Sequence, residues 1–402
     1  MKSRGPVRHT ARPAPHVSFH ADGDGGLLFN GQAQTIFQLD HAAAFLWCSL
    51  AEDCAAADLA RDYAQRADIG LDEAMAHLSA LIDRWREMGL LADSTAADDA
   101  LGARSRAGVR IPLSVSPRRP VTIACRVLNA DIAVRFVEPA LAALCAPLLD
   151  GLAGPRPRAW NALIDIRRVE RSGAALLCPG RPPFNVPDLR ELPPAVLATV
   201  VRVALQHSAD YPAIHAAMVS MPDGAVVLPA PSGRGKSTLA AGLWSAGFET
   251  MCDDTIVLDR ETMAASPVIP YICLKSGSWP AIADRLPGLW QHPAYRRPDG
   301  MHVRYIRTGT GRALRHAAAR HALPVRTLVF PSYDPTRPTE WRSLTTAQAL
   351  DRLLPCVDPI GHGFDAADID RLIAWVDGVD RYALSHASVE DGIAAVKEIA
   401  SS

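Results

Sequence analysis

The pattern of hydrophobic and polar positions is clearest in the middle of the chain. Apolar residues over 225–228 predict a buried strand, and the small residues over 229–235 predict a loop. Good helix formers then fill 236–245, and Gly247 follows where a helix of this length would end. The chain is therefore expected to fold here as a strand, a loop and a helix.

Further strands are predicted on both sides of this unit. The apolar run over 214–220 and the turn residues over 221–224 lead directly into the loop strand, which predicts a hairpin. This hairpin would lay His215 beside the end of the sheet where the loop begins. After the helix, another apolar strand is predicted to end in Asp253 and Asp254, which would place two carboxylates opposite the loop.

A different pattern marks the N-terminal part of the chain. Strands are predicted over 27–32 and 34–39, joined at Asn30-Gly31, a pair that tolerates positive φ in a two-residue hairpin turn. Asp40 is placed to cap the helix that follows. Three helices are expected, over 41–50, over 55–66 and from Asp72 to Gly89. These elements predict a small α+β, winged-helix-like domain over 23–93.

The rest of the chain is divided by composition. Residues 1–22 carry basic residues among prolines and are expected to form a disordered tail, and the polar, unpatterned residues 94–120 are expected to form a linker. Residues 121–402 are expected to form one α/β domain that contains the loop. Its other strands are predicted over 121–128, 160–166 and 324–330. Its other helices are predicted over 137–149, 193–206, 345–354 and 366–376.

Composition excludes several classes of protein. The chain has 402 residues, which favours two or three domains, and its 42 basic and 43 acidic residues leave no nucleic-acid footprint. The apolar stretch over 133–152 contains Arg135, Glu138 and Asp150, so it does not predict a membrane span. The eight cysteines are scattered without a C-x-x-C pair, as in the reduced thiols of an intracellular protein. We therefore expect a cytoplasmic protein with no nucleic-acid or membrane partner, and the oligomeric state stays open.

The central loop carries phosphate-binding chemistry. It matches the pattern G-x-x-x-x-G-K-[ST], except that Ala230 stands at the first glycine. The loop glycines let backbone N–H groups turn toward a polyphosphate, while Lys236 can reach the outer phosphates and Ser237 can bind Mg²⁺. The predicted nucleotide-binding residues are Ser232, Gly233, Arg234, Gly235, Lys236, Ser237 and Thr238.

Asp253, Asp254 and His215 are the candidate partners of this loop. One carboxylate suits Mg²⁺, and the other can accept a proton from an attacking hydroxyl group. Paired aspartates are common in surface turns, but at the end of an apolar strand after such a helix they indicate phosphoryl transfer. The alternative for His215 is a purely structural histidine.

These residues resemble the catalytic domain of HPr kinase/phosphorylase and, more distantly, the PEP-carboxykinase nucleotide fold. The resemblance implies a P-loop kinase domain that uses ATP and Mg²⁺ to phosphorylate a serine hydroxyl on a protein. It implies Asp253 as the base, Asp254 with Ser237 as metal partners and His215 as an orienting group, although the two aspartates could exchange roles. The later glycine-rich signature of the family, with its catalytic arginine, is not found in this sequence, which leaves the phosphorolysis reaction of the family open.

The N-terminal domain resembles a second family. The sequence Leu-Asp-x-x-Ala-Ala-x-Leu-Trp at 39–47 and Trp-x-x-x-Gly-Leu-Leu at 85–91 are similar to PqqD-like peptide-recognition modules. Such modules bind the leader peptide of a ribosomally made, modified peptide as an extra strand on a sheet edge. The alternatives are a dimerisation or packing module and a DNA-binding domain, the latter disfavoured by the lack of net positive charge.

Together the two resemblances imply an ATP-dependent kinase that phosphorylates a Ser or Thr of a ribosomally made precursor peptide held by its N-terminal domain. A lasso-type precursor is one substrate that they suggest. The alternatives are a nucleotide-binding peptide chaperone or scaffold without phosphotransfer, and a kinase of a small molecule. Further cations could assist phosphoryl transfer. Lys275 is predicted in a loop, and the roles of Arg304, Arg307 and Arg326 are left open.

Overall fold

The chain forms two compact units in a computed structural model. One unit lies within Met1–Leu113 and Phe364–Arg371, and the other within Ser114–Gly363 and Leu372–Ser402. The structure describes residues 11–22, 25–51, 56–67, 69–92, 120–169, 173–178, 181–208, 212–308, 322–357 and 365–401. Residues 1–10 of the predicted tail and 94–119 of the predicted linker lie outside the described residues.

The N-terminal unit packs an antiparallel sheet against helices. Its strands are β1 (Val17–Asp22), β2 (Gly25–Asn30) and β3 (Thr35–Leu39), in the order β1-β2-β3. Its helices are α1 (His41–Ala51), α2 (Ala56–Ala67) and α3 (Leu71–Glu87). The buried rings of Trp47 and Trp85 meet edge to face with centroids 5.1 Å apart, so the two tryptophans of the motif hold α1 and α3 together. The Asp40 carboxylate accepts a hydrogen bond from Ala43 N at 2.8 Å, which confirms the predicted cap.

Two predictions for this unit are wrong. Part of the predicted tail is ordered, because β1 adds a third strand to the sheet and Pro13 forms a bridge with Leu91. The predicted two-residue turn is a loop over 31–34, since Asn30 pairs with Thr35. Here the Asn30 side chain, rather than its backbone, shapes the loop, because its Oδ1 accepts hydrogen bonds from the N–H groups of residues 32 and 33, each at 3.0 Å.

The second unit begins with a five-stranded sheet that the sequence only partly predicts. Its strands run in chain order from β4 to β8, and only β5 and β6 are parallel. The strands are β4 (Val121–Val127), β5 (Ala130–Phe136), β6 (Ala162–Val169), β7 (Gly173–Leu177) and β8 (Phe184–Val186). Helices α4 (Pro139–Leu149) and α5 (Leu192–His207) contribute buried leucines and valines to its core.

The largest sheet carries the central loop. Its order is β13-β12-β9-β10-β17-β19-β18, and β11 also pairs with β9. The strands are β9 (Ala213–Met221), β10 (Gly224–Pro229), β11 (Glu249–Cys252), β12 (Thr255–Leu258), β13 (Ala265–Pro267), β17 (Val325–Tyr333), β18 (Glu340–Ser343) and β19 (Asp380–His386). The β9–β10 hairpin and the helix after it, α6 (Lys236–Ser245), have the predicted positions. Because β10, β17 and β19 are parallel neighbours, their carboxyl ends meet at one edge of the sheet.

A three-stranded sheet lies next to α6. It contains β14 (Tyr271–Lys275), β15 (Ala294–Arg296) and β16 (His302–Arg307), in the order β14-β16-β15. The remaining helices are α7 (Trp279–Ile282), α8 (Thr346–Leu353), α9 (Ala366–Asp377) and α10 (Val389–Ile399). In the part of the chain that the structure describes, no helix is long and apolar enough to cross a membrane. The second unit is thus a mixed α/β structure built on three sheets.

Candidate functional site

The loop between β10 and α6 has the backbone that its glycines predict. Gly233 and Gly235 take φ values of +91° and +84°, in the left-handed region that side chains with a Cβ avoid. Ala230 is buried and is not among the described residues with positive φ. The missing first glycine is therefore accommodated without strain. Ser232, Gly233 and Arg234 are exposed, while Ser237 and Thr238 are half-buried in the first turn of α6.

The ends of two parallel strands brace this loop. A Cβ on Gly235 would lie 2.7 Å from Cβ of Tyr333, so only glycine fits at this contact. Tyr333 N donates a hydrogen bond to Arg234 O at 3.1 Å. His386, at the end of β19, is buried, and its Nδ1 lies 3.0 Å from Ser388 O. Burial lowers the pKa of His386, which keeps its imidazole neutral beside the loop.

Lys236, Ser237 and Asp253 meet on the buried side of the loop. Lys236 is only 4% exposed, and its Nζ donates a hydrogen bond to the backbone oxygen of Asp253. The Asp253 carboxylate accepts a hydrogen bond from Cys273 N at 3.0 Å, and β14 thereby fixes its orientation. The Ser237 hydroxyl lies near enough to lower the pKa of this carboxyl, yet Asp253 Oδ2 has no hydrogen-bond partner.

The electrostatics of Asp253 follow from its burial. With 1% exposure it is desolvated, and burial raises its pKa to about 6 although Lys236 acts in the opposite direction. An unpaired buried carboxylate oxygen is costly unless a cation or a proton joins it. The site at Asp253 and Ser237 therefore fits Mg²⁺, which binds to one or two carboxylates and otherwise to water and substrate phosphates. No cluster of three or more His, Cys, Asp or Glu side chains suited to a metal occurs among the described residues.

Asp254 lies in a more open environment. Its side chain is 48% exposed, and its Oδ1 is 3.5 Å from Nδ1 of His215. Its other oxygen accepts a hydrogen bond from the Thr255 hydroxyl at 3.2 Å. The strand register explains this meeting, because β12 pairs Thr255 with His215 while β10 pairs Pro229 with Ala216. The sheet therefore brings His215, both aspartates and the loop together, as the hairpin pattern predicted.

Lys275 is the other lysine at this loop. The sequence predicted this residue in a loop, but it is the last residue of β14. Its Nζ donates a hydrogen bond to Ser232 Oγ at 2.6 Å. Two of the four lysines in the chain therefore contact the loop or Asp253.

Three other cations have structural contacts elsewhere. Arg304 stacks on the rings of Trp279 and Trp290, at 4.7 and 5.3 Å from their centroids. Arg307 pairs with Asp150 at 3.3 Å. Arg326 donates to a backbone oxygen of the β9–β10 turn, at the opposite end of β10 from the loop. These contacts stabilise the fold and place none of the three at the loop.

A cavity of about 490 Å³ lies at the carboxyl ends of β10, β17 and β19. The first residues of the loop form one of its walls, and Trp341 and the cations Arg234, Arg342 and Arg352 are also part of its lining. Carboxyl ends of parallel strands are a common place for ligands in α/β sheets. An aromatic ring beside arginines suits a nucleotide, whose purine or pyrimidine ring can stack on the aromatic side chain while its phosphate groups pair with the arginines.

The sequence did not indicate Tyr333, His386 or the Cys273 N–H as parts of this site. A weak signal was present, since Tyr333 and His386 each stand at the end of an apolar strand, where parallel sheets gather ligand contacts. The role of Cys273 is carried by its backbone, so no side-chain pattern could have revealed it.

Comparison with known proteins adds a partial similarity. No family model and no curated protein matches this sequence. A solved structure, TbiB1 in complex with the TbiA(beta) leader peptide, is similar over 22% of this chain and 99% of its own, with 18% identity and a TM-score of 0.20. The chemistry of the site therefore has to be inferred from its own residues.

Proposed function

We propose that the second unit is an ATP-dependent kinase that transfers the γ-phosphoryl group to a Ser or Thr hydroxyl of a peptide. The observation that carries this proposal is the Asp254–His215 pair beside the loop. A protein that only binds a nucleotide needs a phosphate cradle and a metal carboxylate, which Lys236, Ser237 and Asp253 supply. A second, exposed carboxylate at the same place supports a transfer reaction, because the acceptor hydroxyl must lose a proton.

The environments of the two aspartates favour one assignment of roles. The sequence alone left these roles open and favoured Asp253 as the base. Asp253 is buried beside Lys236 and Ser237, so we assign it to Mg²⁺ together with Ser237. Asp254 is exposed and held by His215, so we assign it as the base and His215 as the group that orients it. Bound Mg²⁺ would supply charge neutralisation for the phosphates.

The transfer itself can then be written with its atoms balanced. The acceptor hydroxyl gives its proton to the Asp254 carboxylate while its oxygen forms a bond to the γ-phosphorus of ATP. The bond between this phosphorus and the bridging oxygen of ADP breaks, and the bond electrons leave with ADP. Lys236, Lys275 and the N–H groups of the loop stabilise the negative charge on the phosphates. We place the base of ATP in the 490 Å³ cavity beside Trp341.

We further propose that the N-terminal unit holds the leader of a ribosomally made precursor peptide. Its antiparallel sheet has β1 and β3 as edge strands in the described chain, and an edge strand can accept a peptide as an additional strand. The two tryptophans of the PqqD-like motif form part of its core, which supports the resemblance on which this role rests. Holding the leader raises the concentration of the attached acceptor near the kinase site.

The experiment uses the full chain, Mg·ATP and a displayed peptide library. Peptides selected by the full chain are fused to serine-containing segments, and phosphate transfer is measured as a one-phosphate mass gain. We expect a mass gain with the fused peptide and a much higher KM when the selected leader is removed. Binding of nucleotide and leader without any mass gain would instead identify a nucleotide-binding chaperone or scaffold.

A further inference from the structure

A second cavity is bordered by the two aspartates and shares no lining residue with the cavity beside Trp341. Its volume is about 650 Å³, within the range of sites for small ligands and short peptide segments. Asp253, Asp254 and Thr255 form part of its lining, while none of the loop residues 229–235 does. Asp253 accepts a hydrogen bond from Lys236 and lies near Ser237 at the end of the loop, and both aspartates also border this second space.

Much of the remaining lining of this cavity is apolar. It includes Ala195, Ala198 and Val201 of α5, and the edge strand β8 contributes one residue. Phe184 of β8 also lines the cavity, and its side chain is 48% exposed, which is unusual for a phenylalanine. This lining can hold an apolar side chain that lies next to the reacting hydroxyl group.

Arginines lie around the same cavity. Arg297 pairs with Asp299 at 2.9 Å, and both line the space near Asp254. Arg181 and Arg202 also line it and are exposed, and within the described residues neither side chain has an ion pair or a hydrogen bond to another group. Arginines that border a cavity and have no ion pair within the described part of the chain suit an anionic group on a ligand.

We infer that this cavity is the acceptor site and that it takes a peptide segment with an apolar residue beside the acceptor hydroxyl and an acidic group within reach of Arg181 and Arg202. This inference rests on the proposed function and adds the class of acceptor to it. The hydroxyl points to Asp254, the apolar side chain packs on α5 and Phe184, and the carboxylate pairs with the two rim arginines. A basic segment is disfavoured, because it would leave these arginines facing like charge.

The test is an affinity selection of a displayed, serine-centred peptide library on the full chain with a non-hydrolysable ATP analogue and Mg²⁺. Ala198→Trp fills the cavity from an exposed position of α5, so it should leave the fold intact. Gln206→Trp is the matched control, exposed on the same helix and outside the cavity lining. We expect acidic, apolar-flanked peptides to be enriched by the wild type and the control, and to be lost with Ala198→Trp.

Charge reversal at the rim tests the acceptor class. Arg202→Glu should reverse the preference from acidic to basic peptides, with a change of about tenfold or more in relative enrichment. The inference is overturned if Ala198→Trp selects the same peptides as the wild type, or if Arg202→Glu keeps the acidic preference. Selection that depends on Ala198 and Arg202 without any phosphate transfer from ATP would refute the kinase and leave the peptide site standing.

Discussion

The two sides of the candidate site differ although they are built on adjacent residues. On the nucleotide side, Asp253 is 1% exposed and lies with Lys236 and Ser237 under the loop. Both aspartates border the 650 Å³ cavity, but on the side proposed for the acceptor Asp254 is 48% exposed and faces His215. One step along the backbone therefore separates a carboxylate that suits a metal ion from one that can reach a substrate.

In the proposed function, this difference lets one short segment contact both reactants. The chain leaves β11 at Cys252 and enters β12 at Thr255, and both strands pair with β9. Within the two residues between them, successive side chains reach different surroundings. Packing against β14 buries the first carboxylate, and the open edge by His215 exposes the second. A substitution on one side should therefore change the property of that side and leave the other side largely unaffected.

The largest effect is expected on the acceptor side. Asp254→Asn keeps the size of the side chain but removes the proton acceptor, so phosphate transfer should fall by ~10²–10⁴. ATP affinity, measured by calorimetry, should change by no more than a few-fold. Asp223→Asn, in the turn at the far end of the same hairpin, is the control and should leave both quantities unchanged. A loss of ATP binding equal to the loss of transfer would refute the separation of the two sides.

The second prediction concerns the charge buried on the nucleotide side. The pKa of Asp253 is about 6 in the folded protein, above the ordinary value of 3.8 for an aspartate. The folded state therefore binds this proton more tightly than the unfolded chain does. The free energy of unfolding should therefore decrease as pH rises from about 4 to about 6, by about 3 kcal/mol in total. Asp253→Asn should be more stable than the wild type at pH 7.5 in EDTA, and this gain should vanish near pH 4.

Denaturant unfolding at the two pH values measures this effect, and Mg·ATP should stabilise the wild type more than the variant. Asp259→Asn is a control for which the change in stability should have the opposite sign. The N–H group of Thr262, and then the Thr262 hydroxyl and the N–H of Glu261, lower the pKa of Asp259. That control should lose stability at pH 7.5. Equal stability of wild type and Asp253→Asn at both pH values would contradict the raised pKa of the buried Asp253 carboxyl.

The third prediction concerns the buried ammonium group of Lys236. Lys236→Met keeps the aliphatic stem but removes a charge-assisted phosphate contact, which should reduce ATP affinity by ~1.5–3 kcal/mol, or about 10- to 150-fold. Peptide binding at the acceptor cavity should be preserved. Lys397→Met, on the exposed surface of α10, provides the control. Calorimetry with Mg·ATP that finds no difference between wild type and Lys236→Met would rule out a nucleotide site at this loop.

The smallest effect is expected at the second lysine. Lys275 is half-buried and its contact with Ser232 is open to solvent, so solvent screens its charge more than that of the buried Lys236. Lys275→Met should reduce the rate of phosphate transfer by about three- to tenfold, and Lys275→Arg should restore part of it. Single-turnover kinetics separate this effect from ATP binding. An unchanged rate in Lys275→Met would show that the contact between Lys275 and Ser232 is a surface hydrogen bond without a role in transfer.

The sequence by itself determined the local units of this protein. The small residues of the loop, the apolar run before it and the helix formers after it predicted α6 with its observed bounds and β10 to within one residue at each end. The β9–β10 hairpin and the three helices of the N-terminal unit were also predicted, with ends that differ from the observed ones by one or two residues. Such units follow from hydrophobic period, turn residues and caps, which act between near neighbours in the chain.

Tertiary structure decided the properties that depend on distant residues. β1 is a strand because β2 offers it an edge, and no strong local pattern distinguishes it from a tail. Lys275 reaches Ser232 from 43 positions away, and His386 and Tyr333 meet the loop because β17 pairs with β10 and β19 pairs with β17. The contrasting environments of Asp253 and Asp254 also arise from packing. Burial and desolvation depend on which segments of the folded chain surround a group, and two identical side chains in succession give no sign of that in the sequence.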